Sequence, residues 1–243
     1  MPIPSLDLTP ATSFGAGALA PYDSALRDRD RRLYLFDASD EKVASERLFS
    51  GDGSRTGAVR LDVERFLAAA DEDDVDVLSR LRGPLLDVGC GPGRIVKAAI
   101  LAGHLALGID VSTTAVTIAR ERGLPVLLRS IFHDLPSEGT WGVVTLIDGN
   151  IGIGGDPLAL LSRCAELVDP HHGEVVVETH GDAERDRVFD GIVVDDLARE
   201  SLPFPWAEVG SIPLRAYADS AGLELVREWT HRDRSFSQFA KRS

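Results

Sequence analysis

The run Leu85-Leu86-Asp87-Val88-Gly89-Cys90-Gly91-Pro92-Gly93-Arg94 sets three glycines at alternate positions directly behind a short apolar stretch. Lacking a Cβ, glycine permits positive φ and lets a ligand lie against bare backbone. A helix opening near Gly93 aims its free amide groups at that ligand, which suits a carboxylate or phosphate. Leu105 to Asp110 reads as a second strand, and it ends in Asp110, seventeen residues after Gly93. An acidic side chain there accepts hydrogen bonds from both hydroxyls of a ribose. The chemistry implied is capture of a nucleoside-bearing ligand. The glycine spacing is GxGxG with Pro92 inside the turn, not the GxGxxG of dinucleotide sites.

Other residues offer proton chemistry. His180 ends the stretch Glu174 to His180 and titrates near neutrality, so it is the first candidate general base. Glu178, two residues earlier, shares its face on an extended strand. The competing view of His180 is a turn hydrogen bond. His133 ranks second; His104 and the pair His171-His172 read as structural or solvated. Cys90 invites a nucleophile, yet no base is placed for it by spacing, so it reads as a turn residue.

These groups need elements to hold them. Leu85 to Val88, Leu105 to Asp110, Pro125 to Leu128, Trp141 to Asp148 and Glu174 to His180 are short apolar runs. Helices are expected over Gly93 to Gly103, Ser112 to Arg122 and Asp156 to Leu167, the last with Asp156 as N-cap and Pro157 in the first turn. Alternation of this kind predicts a doubly wound, mostly parallel sheet with helices on both faces. A helix over Ile212 to Ala221 leads into Leu223 to Arg232 and Ser235 to Lys241, which the short Arg232-Asp233-Arg234 turn makes an antiparallel hairpin.

Upstream, residues 1 to about 20 are rich in Pro, Ala, Gly, Ser and Thr and are expected to fray or cover another surface. Gly51-Asp52-Gly53 is a turn signal, and Ala58 to Phe66 suits a strand running into a helix. Residues 1–82 are thus expected as an extension leaning on a domain of residues 83–243. The acidic run Asp71 to Asp74 reads as helix-start chemistry, with a partner-binding patch as the sharper alternative. Residues between His180 and Ile212 form a long insertion, a lid or binding element; its Phe204 and Trp206 suit either an apolar pocket or a core-packing cover.

Composition sets limits. The 243 residues carry 39 acidic against 26 basic side chains, a net charge of -13, which argues against a long nucleic-acid surface. The basic pairs Arg120/Arg122 and Arg232/Arg234 read as solvated faces. The two cysteines, Cys90 and Cys164, show no metal-ligand spacing and suggest a reducing compartment, although they could pair. No secretory signal or membrane-spanning stretch is visible, so a cytoplasmic protein is expected, without membrane partner or metal.

LLDVGCGPGR followed by ALGIDVS resembles the first two motifs of the class I S-adenosylmethionine (SAM)-dependent methyltransferases. The resemblance covers roughly residues 83–243 and implies a Rossmann-like α/β fold with the C-terminal hairpin. It places Asp87, Gly89, Cys90, Gly91 and Gly93 around the methionine end of the cofactor. It puts Asp110 on the ribose and Val111 on the adenine. Ser130, Ile131 and Phe132 lie in the loop that covers the adenine edge, where many family members carry an acidic residue and this chain has Ile131. Asp148, Gly149 and Asn150 stand at the cleft mouth, facing the methionine amino group or the acceptor. The glycines of Ile151-Gly152-Ile153-Gly154-Gly155 suit a tight loop or a plain connector. The segment lacks the Asn/Asp-Pro-Pro-aromatic signature of enzymes acting on base amines, which, together with the acidic charge, points to a small-molecule acceptor, with protein substrates as the alternative. Two alternatives stay open: a nicotinamide-dependent oxidoreductase, and a non-catalytic module that binds SAM. Oligomeric state is not legible.

Overall fold

A computed structural model describes residues 21–28, 31–39 and 59–242. The expected turn at Gly51-Asp52-Gly53 and the role of residues 1–20 lie outside them. Helix α1 (Pro21–Arg27), strands β1 (Leu33–Asp37) and β2 (Val59–Leu61), and helices α2 (Val63–Leu67) and α3 (Glu72–Ser79) come first. The strand running into a helix expected over Ala58 to Phe66 is β2 with α2, capped by Asp62, whose side chain accepts the Arg65 N–H.

Then follow β3 (Leu85–Val88), α4 (Arg94–Leu101), β4 (Ala106–Asp110), α5 (Thr113–Glu121), β5 (Val126–Leu128) and β6 (Val143–Leu146). A 3₁₀ segment (Asn150–Gly155), α6 (Pro157–Leu167) and β7 (Glu174–Thr179) complete the alternation. Asp156 caps α6 through the Ala159 N–H, with proline in the first turn, as its sequence demands. The chain closes with β8 (Asp186–Asp195), β9 (Phe204–Val209), α7 (Ser211–Ser220), β10 (Leu223–His231) and β11 (Arg234–Lys241).

The large sheet has the order β10-β11-β7-β6-β3-β4-β5, parallel from β7 to β5, with the hairpin β10–β11 antiparallel on one edge. The fold is therefore the Rossmann-like α/β arrangement with a C-terminal hairpin. Its strands read as continuous apolar runs because both faces are covered. Leu86, Val88, Val144, Leu146, Val175 and Val177 pack under α6 and α7, while Leu85, Val143 and Val176 meet α3 and α4 on the other side. Each such side chain, fully buried, contributes about 1.5–3 kcal/mol relative to exposure.

The insertion after His180 is built of strands. β8 and β9 pair with each other, and β8 pairs with β1, giving a second antiparallel sheet of order β2-β1-β8-β9. One face of it shares an apolar cluster with α1, α2 and α5, in which Phe204 and Trp206 are buried with ring centroids 5.9 Å apart. Short polar breaks in β8 (Asp190, Gly191) and a partner far upstream hide this strand from periodicity.

The 3₁₀ segment packs on β9 so closely that a Cβ added at Gly152 would lie 2.4 Å from the Ala207 carbonyl oxygen and 2.5 Å from the Trp206 ring. Gly152→Ala is expected to lower stability by about 1–3 kcal/mol through overpacking. A shifted urea midpoint with unchanged slope would show this; an unshifted midpoint would mean that β9 gives way freely.

Candidate functional site

A cleft of about 1520 Å³ opens at the carboxyl ends of β3, β4 and β6. Its floor is the glycine turn. Gly89, Gly91 and Gly93 all hold positive φ (67°, 53° and 88°), which leaves the turn without side-chain cover. Asn150 stitches the loop after β6 to this turn, its Nδ2 donating to the carbonyls of Val88 at 2.8 Å and Gly89 at 3.1 Å.

Most of the residues singled out in the sequence meet here. Asp87, Gly89, Cys90 and Gly91 line the cleft from the turn; Asp110 and Val111 line it from the end of β4. Ser130, Ile131 and Phe132 line it from the loop after β5, and Asp148 and Asn150 from the end of β6. Gly93 and Gly149 do not reach the wall among these residues. A Cβ on Gly93 would instead meet the Leu124 side chain at 2.5 Å, so this glycine serves packing of the turn on the next helix.

Three carboxyls converge on the turn. Asp110 accepts the Gly91 N–H at 2.8 Å on one oxygen and the Ser112 N–H at 2.7 Å on the other, leaving a lone pair on each oxygen for a diol. Burial pushes its carboxyl above the ordinary value, against the pull of those amides. Asp87 is buried and accepts from Thr145 Oγ1 at 2.8 Å; burial, then Asp148 and Asp110, push it up to about 7. Asp148 holds φ 58°, uncommon for a non-glycine residue, and so turns the chain sharply into the cleft mouth. Cys90 fills the space over Gly108, and burial raises its thiol well above the usual range, in keeping with a turn residue rather than a nucleophile.

An ion-pair network underlies this floor. Arg94, the first residue of α4, is buried and pairs with both Asp74 and Asp148. Asp74 also accepts from Arg65 at 3.1 Å and Arg234 at 2.9 Å. Arg234 is held in turn by Glu178 at 2.6 Å, and Glu178 accepts the Asp148 N–H at 2.6 Å. Two expectations need correction. The acidic run does start α3, through a capping box of Asp71 and Asp74, but Asp73 and Asp74 are buried partners of the network and not mere helix-start charge. Arg234 is not a solvated charge: its side chain is only 10% exposed, because four carboxylates surround the three arginines here.

His180 is not brought to the cleft. Its backbone N–H bonds the Val209 carbonyl, and its Nδ1 accepts the Asp182 N–H at 3.0 Å, so it organises the turn between β7 and β8. Glu178 lies beneath the mouth and acts on Asp148. His133 does line the cleft. Nothing in the local pattern pointed to α1, which covers the turn: Tyr22 OH would lie 3.4 Å from a Cβ at Gly91, and Asp23 accepts from Ser112 Oγ at 2.8 Å. The adjacency of Arg94 to the last glycine was the one available signal for the network. The two cysteines are both free. Among the described residues no cluster of His, Cys, Asp and Glu suits a metal ion, and no helix is long and apolar enough to cross a membrane.

Replacing Asp87 tests the burial of these acids. The native carboxyl, titrating at about 7, binds a proton that an unfolded Asp near 4 has lost, so stability falls as pH rises from about 4 to 7. Asp87→Asn removes that contribution, and the melting temperature of the variant minus that of the wild type should rise across this window and level off above it. A difference independent of pH would mean that Asp87 stays ionised in the native protein.

No family model matches the chain. It is 36% identical over 92 residues to a ubiquinone biosynthesis O-methyltransferase of Methylococcus capsulatus, covering 35% of this chain and 38% of the relative. It is 31% identical over 93 residues to the enzyme of the same description from Vibrio campbellii, covering 35% and 39%. The matches thus span well under half of the curated relatives. Among solved structures, a SAM-dependent methyltransferase of Bacteroides fragilis in complex with S-adenosylhomocysteine (SAH) superposes with a TM-score of 0.70 at 18% identity, over 96% of this chain and 99% of that one. A Burkholderia thailandensis 1,6-didemethyltoxoflavin-N1-methyltransferase gives 0.53 at 15% identity, over 71% and 78%. The fold is the one these methyltransferases share.

Proposed function

We propose that this chain, built on the class I methyltransferase fold, is a SAM-dependent enzyme that methylates a small molecule. One observation carries this reading: Asp87, Asp110 and Asp148 gather at the glycine turn on the cleft wall, where burial, and after it the latter two, raise the affinity of Asp87 for its proton. A cationic ligand relieves that repulsion, whereas a pyrophosphate would add to it. This favours a sulfonium nucleoside over a nicotinamide dinucleotide.

The residues fit such a cofactor. Asp110 would accept the ribose hydroxyls on its remaining lone pairs. Val111 and Phe132, 39% and 45% exposed on the cleft, would be covered by the adenine. Ser130 and the backbone near Ile131 would take the adenine edge. Asp87, the bare amides of Gly89 to Gly91, and Asp148 and Asn150 would face the methionine end. When bound, SAM supplies the methyl group. The protein contributes position and orientation, and α1 excludes water from the floor. Glu178 serves by holding the Asp148 backbone, not by touching the acceptor. We read residues 1–82 as an extension on the 83–243 domain, whose α1, β2 and α2 line this site, and the partner as a small acceptor rather than nucleic acid.

Calorimetric titration with SAM, SAH, NADH and NADPH tests the reading. Selective binding of the first two is expected, and binding of a nicotinamide cofactor instead would promote the oxidoreductase. Asp110→Ala should weaken SAH binding by about ten-fold or more, since charged hydrogen bonds are lost; unchanged affinity in a folded variant would sink the ribose assignment. His180→Ala should keep turnover close to the wild type, well short of the roughly 10²-fold loss that removal of a general base brings. A loss of that size would restore His180 as the base.

A further inference from the structure

The cleft is larger than the roughly 300–1,000 Å³ that serves one drug-sized ligand, so it holds room beside a cofactor. Beside the polar rim of Thr117, Glu121, Arg129 and His133, an apolar stretch of its wall comes from the small sheet and the elements packed against it. Leu61 and Phe66 reach the cleft from the N-terminal section, Ile118 from α5, Ile153 from the 3₁₀ segment and Trp206 from β9. The first four are the partly buried members of the apolar cluster behind the wall, and each of them lines the cleft. Phe189 belongs to the same cluster but does not reach the cleft. Two charged neighbours are already engaged: Asp23 accepts from Ser112, and Arg27 donates to Thr114 Oγ1 at 2.8 Å.

We propose that the acceptor is an apolar, ring-bearing small molecule, seated between Leu61 and Phe66 on one side and Ile153 and Trp206 on the other. This rests on the methyltransferase reading and narrows it. A ring against these walls removes apolar surface from water, and the half-buried Phe66 ring suits stacked or edge contacts. An amino sugar or polyamine would leave its polar groups unpaired there, which is costly.

The test is calorimetric titration of the SAH-loaded protein with naphthalene-2,3-diol, 8-hydroxyquinoline and tryptamine, and with glucosamine and spermidine. At least one ring compound should bind, and neither polar compound should. Phe66→Gln and Ile118→Gln should each weaken that binding about ten-fold, the effect of burying an unpaired amide, with SAH affinity unchanged. Phe189→Gln should leave both affinities as they are. Binding of glucosamine or spermidine in preference, binding of no ring compound, or an equal loss in Phe189→Gln would overturn the proposal. Should a Gln variant fail to fold, the ring-over-polar preference of the wild type still decides it. Failure of SAH itself to bind would bring down the methyltransferase reading and this proposal with it, a result separable from an SAH-loaded protein that rejects rings.

Discussion

The buried pairing of Arg94 with Asp74 and Asp148 governs the rest of the molecule. Charges taken out of water are costly unless every partner is in place, and removing one partner of such a set costs about 3–5 kcal/mol. Completing it requires α2 to bring Arg65, α3 to bring Asp74, β7 to bring Glu178 and the hairpin to bring Arg234. Segments remote in sequence are thereby fixed at one point beneath the cleft. The sharp turn at Asp148, with its positive φ, is held from three sides, by Arg94 and Arg234 on its carboxylate and Glu178 on its backbone. The C-terminal hairpin is then more than an edge to the sheet, since its tip closes this network. His231 and Arg232 extend the same clamp to Asp73 and Glu72.

Above the network, the glycine turn offers a ligand backbone and acids and little else. On the proposed reading its selectivity comes from charge. Burial first, and then the neighbouring Asp148 and Asp110, keep the Asp87 proton bound, and a positively charged guest would exchange for it. Of the arginines that line the cleft, Arg94 is buried and engaged by Asp74 and Asp148, while Arg27 and Arg129 stand exposed at its rim.

The sheet was legible because its strands are buried on both faces and so stand out as apolar runs between helices with readable caps, such as Asp156-Pro157. The turn and Asp110 were legible for a related reason, since positive φ at Gly89, Gly91 and Gly93 and a carboxylate on the Gly91 amide demand specific residue types at fixed spacing. Three things were not. Charge runs like Asp71 to Asp74 usually face solvent, and spacing cannot show that their partners lie at Arg94 and Arg234. The position of His180 at the end of β7 suggested the cleft, but β9 takes up its backbone and turns that corner elsewhere. Strand β8 reads poorly because its pairing partner β1 lies near the other end of the chain, and local pattern carries no information on so distant a contact.

That distant contact bears on how the protein is made. Leu33 lies opposite Asp195, and Asp37 opposite Gly191, so β1 emerges from the ribosome long before its partner exists. The roof of the cleft can then form only after the parallel strands beneath it have been synthesised. Until that moment β1 and β2 present open edges, the kind of surface on which nascent chains aggregate or recruit chaperones. Closing so long a loop carries an entropic penalty that slows the step, and the late assembly of the acceptor wall follows from building it out of both ends of the chain.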